Sequence, residues 1–338
     1  MTTPQSGPGF EPVGVAPELA QPTAGVELEP SEAAPEAAPA AGSAVTVPAV
    51  GAPGRPHAKQ LSGGQMAGRT VLYVVLIGFA AFLLLPFFWM IMSSLKRNID
   101  VFSLPIRWIP QIWMPQNYLD IWTQAAMGTW LKNTIILSVI VTALQLLTGS
   151  FAAYGFARVR FPGRDVLFLA YVATIAVPWQ AYMIPQFILM TKIGLTGKWL
   201  WPIIVLQAFG AFGVFLMKQF FETIPEELSE SARLDGLSEY GIWRRIMLPL
   251  SGPALTSLAL LTFVNTWNDY MGPLIYLRDR SYFTIQLGLK TFQADPQGSS
   301  LDALLFTGSV LSVLPIAIIF LFGQRFFLEG IATSGMKG

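Results

Sequence analysis

An all-α membrane protein, with six transmembrane helices and a polar helical loop between the fourth and the fifth, is the fold class that three observations predict. Hydrophobic residues make up 53% of the 338 and charged residues only 12%, where soluble domains carry about a quarter charged. Six apolar stretches are each long enough, at about 1.5 Å of rise per residue, to cross a hydrocarbon core of about 30 Å. A polar stretch, Glu230 to Pro249, sits between two of the most hydrophobic segments.

Composition also removes whole classes of function. With no cysteine and a single histidine, His57, neither a thiolate or multi-histidine metal site nor a histidine-based catalytic triad can be built. A net charge of +1 implies no nucleic-acid partner. The sequence therefore predicts no catalytic residue, no metal and no cofactor in this chain.

Residues 1–68 are rich in Ala, Pro, Gly and Glu, have no Lys or Arg before Arg55 and show no apolar periodicity. Such a segment buries too little surface to offset its ordering entropy and reads as a disordered tail; it lacks the basic and apolar regions of a signal peptide. The remainder, 69–338, is the membrane domain. Its first span covers 71–92 and contains Pro86, a predicted kink. A loop follows, with Pro105, Pro110 and Pro115; Trp108, Trp113, Trp122 and Trp130, spread through it and the next helix start, read as interface anchors.

The second span covers 133–153. The turn after it, Arg158-Val159-Arg160-Phe161-Pro162-Gly163-Arg164, is the clearest mark of a cytoplasmic side. The third, 166–189, holds Pro178 and Pro185 around Trp179-Gln180-Ala181-Tyr182, so it should bend with polar groups turned to a cavity. Spans over 199–220, 253–275 and 303–322 complete the six. With the basic turn and the polar loop on one side, both termini lie there too, along with 12 of the 21 Lys and Arg residues.

The polar loop, 222–250, has its own logic. Thr223-Ile224-Pro225-Glu226 has the form of a helix start, with Thr223 as cap and Pro225 in the first turn. The helix should end at Asp235-Gly236, because glycine alone takes the left-handed conformation without a Cβ penalty. A second helix fits Ser238 to Met247, stopped by Pro249.

These residues resemble a family. Glu230, Ala232, Gly236, Ile246, Leu248 and Pro249 follow the pattern Glu-x-Ala-x3-Gly-x9-Ile-x-Leu-Pro, similar to the "EAA" loop of permease subunits in bacterial ABC importers; Ser231 and Leu237 stand where that family more often has Ala. Trp267-Asn268-Asp269-Tyr270, Ala152-Ala153-Tyr154 and the tail from Gln324 to Gly330 are similar to the smaller six-span permease of the maltose-transporter type. The resemblance covers about residues 70–338. It implies a type I importer fold in a bacterial inner membrane, a partner permease, two copies of a cytoplasmic ATPase that bind ATP and Mg, an extracellular binding protein, and a sugar substrate. Glu230 would contact the ATPase with Arg233 and Asp235 as supporting charges, Ala232 would permit close approach, Gly236 would make the required turn, and Ile246, Leu248 and Pro249 complete the ATPase-coupling set. Leu61-Ser62-Gly63-Gly64-Gln65 spells the signature of ABC ATPases, but the chain has no phosphate-binding Gly-x4-Gly-Lys-Ser/Thr loop to accompany it.

For the substrate path the uncharged hydrogen-bonding groups are Gln180, Tyr182, Asn265 and Asn268, with Trp267 or Tyr270 for stacking; Asn133, Gln145 and Gln207 are further candidates. Each fits a structural hydrogen bond as well. A neutral sugar suits spans without basic groups, with a sugar phosphate or polyol as the alternative and an ion-coupled secondary transporter as a different class; the latter would want midplane ionisable groups, and the spans hold almost none, with Asp269 near the outer end of the fifth.

Overall fold

The computed structural model describes residues 63–293 and 301–335, with side chains over 67–293 and 301–323. Most of the N-terminal tail, residues 1–62, including the Leu61-Ser62 start of the signature-like pentapeptide, lies outside the described residues. The helix that follows begins at Gly63, inside the stretch read as tail.

Among the described residues fourteen helices follow one another: α1 Gly63–Ser94, α2 Asn117–Gln124, α3 Met127–Arg158, α4 Arg164–Ala173, α5 Trp179–Lys192, α6 Trp201–Gln207, α7 Ala211–Thr223, α8 Glu227–Leu234, α9 Glu239–Ile242, α10 Leu248–Leu250, α11 Gly252–Trp267, α12 Met271–Tyr276, α13 Ile285–Lys290 and α14 Asp302–Gly335. Four are long and apolar enough to cross a membrane, counting α6 and α7 as one, and two bent pairs bring the number to as many as six.

The third span bends as the prolines lead one to expect, while the fourth and fifth break where the sequence suggested continuity. The segment read as the third turns through 101° between α4 and α5, at Val177-Pro178, because a residue before proline is driven from the helical to the extended region; Val177 has ψ 113°. The fourth is interrupted at 208–210, between α6 and α7. The fifth stops at Trp267: Asn268 turns its amide back to the Val264 carbonyl at 2.9 Å and Asp269 accepts from the Gly272 N–H at 3.0 Å, so short polar side chains offer the backbone an alternative to the helix.

α3 runs through the middle of the molecule. Its first turns pack with α2, α13 and α14 through Ile121, Met127, Trp130, Ile285 and Leu304. Its centre meets α6 and α12 through Leu137, Val141, Ile203 and Tyr276, and its last turns meet α7, the polar loop and α11 through Ala153, Tyr154, Phe221, Trp243 and Leu258. Close approach of α3 to α7 is secured by Gly149 facing Gly213, where an added Cβ would lie 3.5 Å from the opposing backbone, the small-residue contact by which membrane helices pack.

Two readings of single residues change here. Trp130, grouped with the interface aromatics, is 5% exposed and lies edge-on to Phe292 at 5.8 Å; Trp108, Trp113 and Trp122 are exposed. Asn133, a candidate for the path, donates to the carbonyls of Ser281 and Phe283 at 2.9 and 3.0 Å, fixing the segment that leads into α13.

Candidate functional site

The polar loop folds as a helix–turn–helix. Thr223 closes α7 rather than opening α8, its hydroxyl donating to the Phe220 carbonyl at 2.7 Å; α8 starts at Glu227 and its cap, Glu226, makes no side-chain capping bond. Gly236 has φ +80°. The Leu237 N–H reaches the Ala232 carbonyl at 3.0 Å and the Gly236 N–H reaches that of Arg233 at 3.0 Å, the paired bonds of a Schellman C-cap, which only a left-handed residue between them allows. Ser238 then caps α9, accepting from the Gly241 N–H at 3.2 Å.

Pro249 does not stop the second helix. The chain widens to a π-turn over Trp243–Met247, continues through Pro249 to Leu250, and turns by 82° into α11. Proline clashes with the carbonyl four residues earlier, and the wider turn makes room for it.

Charged groups weld the turn together. Arg233 Nε donates to Glu239 Oε1 at 2.7 Å and Nη2 to Oε2 at 3.3 Å. Hydrogen bonding from Arg233 holds the Glu239 carboxyl below the ordinary glutamate value, against partial burial that pushes it up. Arg160 pairs loosely with Glu226 at 3.5 Å.

The second feature is a cavity of about 570 Å³ beside the helix breaks at 208–210 and after Trp267. α6 loses its carbonyl partners at 208–210, and α3 supplies replacements: Gln145 Nε2 donates to the Gln207 carbonyl at 2.8 Å and Thr148 Oγ1 to that of Ala208 at 2.7 Å. Gln145 Oε1 accepts from Thr262 at 3.2 Å. Gln207 in turn accepts from Thr266 at 3.3 Å and donates from Nε2 to Asp269 Oδ2 at 2.8 Å. The two breaks are thus joined by one polar ladder, in which each amide both donates and accepts; discontinuous helices at such a cavity need their freed backbone satisfied in this way. Across the cavity Gln186 accepts from Trp179 Nε1 at 2.9 Å and from the Tyr276 hydroxyl at 3.1 Å.

The model of the family described as "binding-protein-dependent transport system inner membrane component" matches residues 145–332, more than half of the chain. The chain belongs to that family. The arabinooligosaccharides transport system permease protein of Halalkalibacterium halodurans is 36% identical over 273 residues, covering 79% of this chain and 96% of that protein. The maltodextrin transport system permease protein of Streptococcus pneumoniae is 30% identical over 273 residues, covering 80% and 96%. The fold is shared with a chain in the crystal structure of a bacterial ABC transporter involved in the import of the acidic polysaccharide alginate, with a TM-score of 0.70, 24% identity, and coverage of 79% and 99%. This permease is accordingly a multi-pass membrane protein of a transport system and not an enzyme.

The permease's predicted site residues divide. Glu230, on α8, and Asp235, which caps its C-terminus, are exposed. Ala232 is 5% exposed and belongs to the core, so its small size serves packing inside the chain, not approach from outside. Ile246 and Leu248 pack on the same core, and Pro249 is exposed. Gln180, Tyr182 and Asn265 line the cavity, as do Gln145 and Gln207. Trp267 does not: it is 1% exposed, stacked on Phe263, with its Nε1 donating to the Ser312 carbonyl. Asn268 and Tyr270 also lie outside the lining.

Two residues stand out beyond what the motifs imply for them. Leu234, 90% exposed at the end of a polar helix, is an apolar knob; its isolation among Arg233, Asp235 and Gly236 was the available signal. Asp269 is the one carboxylate of the cavity lining, and its place after a Trp-Asn pair gave no hint of the Gln207 contact.

Proposed function

We propose that this chain is one of two unlike permease subunits of an ATP-driven importer for a neutral sugar, mono- or oligosaccharide, handed over by an extracellular binding protein. The observation that carries the reading is the chemistry of the cavity. Amides and hydroxyls (Gln145, Gln180, Gln207, Asn265) and aromatics (Trp179, Tyr182) line it, with one acid and no cation. Such a surface exchanges hydrogen bonds with hydroxyl groups and lays a sugar ring against an aromatic face, while offering nothing to neutralise a phosphate or a uronate. Relatives named for arabinooligosaccharide and maltodextrin transport support the substrate class, and a sugar phosphate is the less suited alternative.

In this reading the chain crosses the membrane six times, with both bent pairs spanning it and both termini, including residues 1–68, in the cytoplasm. The loop 222–250 lies between the fourth and fifth crossings, and α8 is the coupling helix that enters a groove of one of two ATPase subunits. Glu230 and Asp235 give its polar contacts and Leu234 its apolar anchor, while Arg233 and Gly236 hold the turn. ATP and Mg are bound by those subunits, and this chain holds no cofactor. Closure of the ATPase pair displaces both coupling helices as rigid bodies and reorients the cavity.

The test is purification of the chain from its native membrane in mild detergent, with mass spectrometry of what accompanies it. Two copies of an ATPase with a phosphate-binding loop and a second multi-span permease are expected, and the sugar held by the co-expressed binding protein names the substrate. Recovery of the chain alone, in preparations that still transport, would overturn the proposal.

A further inference from the structure

The coupling turn is fastened to the far end of α3 by contacts that the loop motif does not contain. Glu239, in the first turn of α9, takes both prongs of the Arg233 guanidinium, and its Oε2 also accepts from the Tyr154 hydroxyl. Tyr154 stands in the last turns of α3, is 2% exposed, and has its ring edge-on to Phe221 at 6.4 Å, so the phenol is held in one direction. One turn later Arg158 Nη2 donates to the Phe221 carbonyl at 2.6 Å and to that of Ile224, gathering the end of α7, while the Arg158 carbonyl accepts from Arg233 Nη2 at 3.5 Å. Apolar packing alone lets helices slide; directional, charge-assisted bonds do not.

The same helix reaches the cavity. α3 is continuous from Met127 to Arg158, and Gln145 lies nine residues before Tyr154, about 14 Å along the axis. From there Gln145 and Thr148 hold the Gln207 and Ala208 carbonyls at the α6–α7 break, and Gln207 holds Asp269. One rigid rod therefore has the coupling turn locked to one end and the broken wall of the cavity braced on its middle.

We propose that Tyr154, Glu239 and Arg158 are positioning residues that lock the α8–α9 turn to α3, so that a displacement of the turn passes along α3 to the helix breaks at the cavity. This rests on the assignment of α8 as the coupling helix. The chain contains no cysteine, so introduced cysteines report alone.

The experiment uses the complete importer in liposomes, with its ATPase and binding protein, and reads ATP hydrolysed per sugar imported. Tyr154→Phe keeps the ring packing and the Arg233–Glu239 pair and removes only the bond to α3. The expected result is at least a threefold rise in ATP per sugar with the ATPase still co-purifying. Spin labels at Arg244→Cys and Leu147→Cys, both exposed, should keep one narrow separation through the ATP cycle in the parent and a broadened one in the variant. Unchanged stoichiometry and an unchanged distribution overturn the lock. Leu234→Ser separates this from the docking assignment: if it abolishes import while Tyr154→Phe behaves as the parent, docking stands and the lock falls. If Leu234→Ser also imports with normal coupling, the docking assignment itself falls. Should Tyr154→Phe fail to insert, Glu239→Gln carries the same two readouts with the same expected rise.

Discussion

Gly236 allows the backbone requirement of the turn to be separated from its space requirement. At φ +80° an added Cβ meets nothing within 4 Å, so a substituent costs only what the left-handed conformation costs. For alanine that is about 1–2 kcal/mol, a factor of about 5–30 in the ratio of native to non-native turn. Asparagine visits this region far more readily, and a β-branched residue hardly at all. The Schellman bonds to the Ala232 and Arg233 carbonyls exist only while residue 236 stays left-handed, and those bonds aim α9, and with it Glu239, at Arg233. In reconstituted importer, sugar imported per ATP should therefore fall in the order Gly, Asn, Ala, Val at position 236, by at most about 5–30-fold at Ala, with membrane insertion unchanged. A Val variant that couples as well as the parent, or an Asn variant worse than Val, would refute the reasoning.

Three further outcomes follow from the same contacts. Gln207→Leu leaves Asp269 Oδ2 without its donor and Thr266 without its acceptor, costing about 1–3 kcal/mol for each group left unsatisfied, read as a lower melting temperature in detergent; Gln207→Glu should be worse at neutral pH, with two carboxylates facing each other, and recover on acidification. Gly288→Ala drives a Cβ into the Trp130 ring and should cost about 1–3 kcal/mol by overpacking, part of which Trp130→Phe restores in a thermal melt. The Glu239 carboxyl is held below its ordinary value by Arg233, so its contribution is fully present above the unfolded value, about 4.3, and is lost as pH falls through the lower folded one. Spin-label mobility at Arg244→Cys should accordingly stay flat from pH 8 to 5 and rise only in stronger acid, and Glu239→Gln should abolish that transition.

Much of the site was legible because its rules are local. Glycine at a left-handed C-cap is a requirement of one residue's backbone, and Asp235-Gly236 announced it; the six apolar stretches needed only hydropathy and length. The misreadings were of another kind. Thr223 looked like a cap because Pro225 and Glu226 follow, yet the end of α7 claimed it, and Ala232 looked outward because nothing in a single helix says which face is covered. Trp130 and Trp108 are the same residue type in the same stretch, and only the neighbourhood of Gly288 makes one of them core. Pro249 failed as a stop because a π-turn, invisible in composition, absorbed its clash.

By itself the sequence determined that this chain is a helical membrane protein, that a rigid polar turn interrupts it before the fifth apolar stretch, and that the turn ends its first helix at Gly236, since each depends on hydropathy or on the conformational range of a single residue. Tertiary structure decided what the polar residues do. Gln145, Gln207 and Asp269 lie up to 124 positions apart in sequence and become one ladder only when two helices break side by side. Tyr154 and Glu239 meet only because α3 ends where the turn begins. Hydrogen bonds are short and directional, so their partners are set by the three-dimensional path of the chain, which no local pattern encodes.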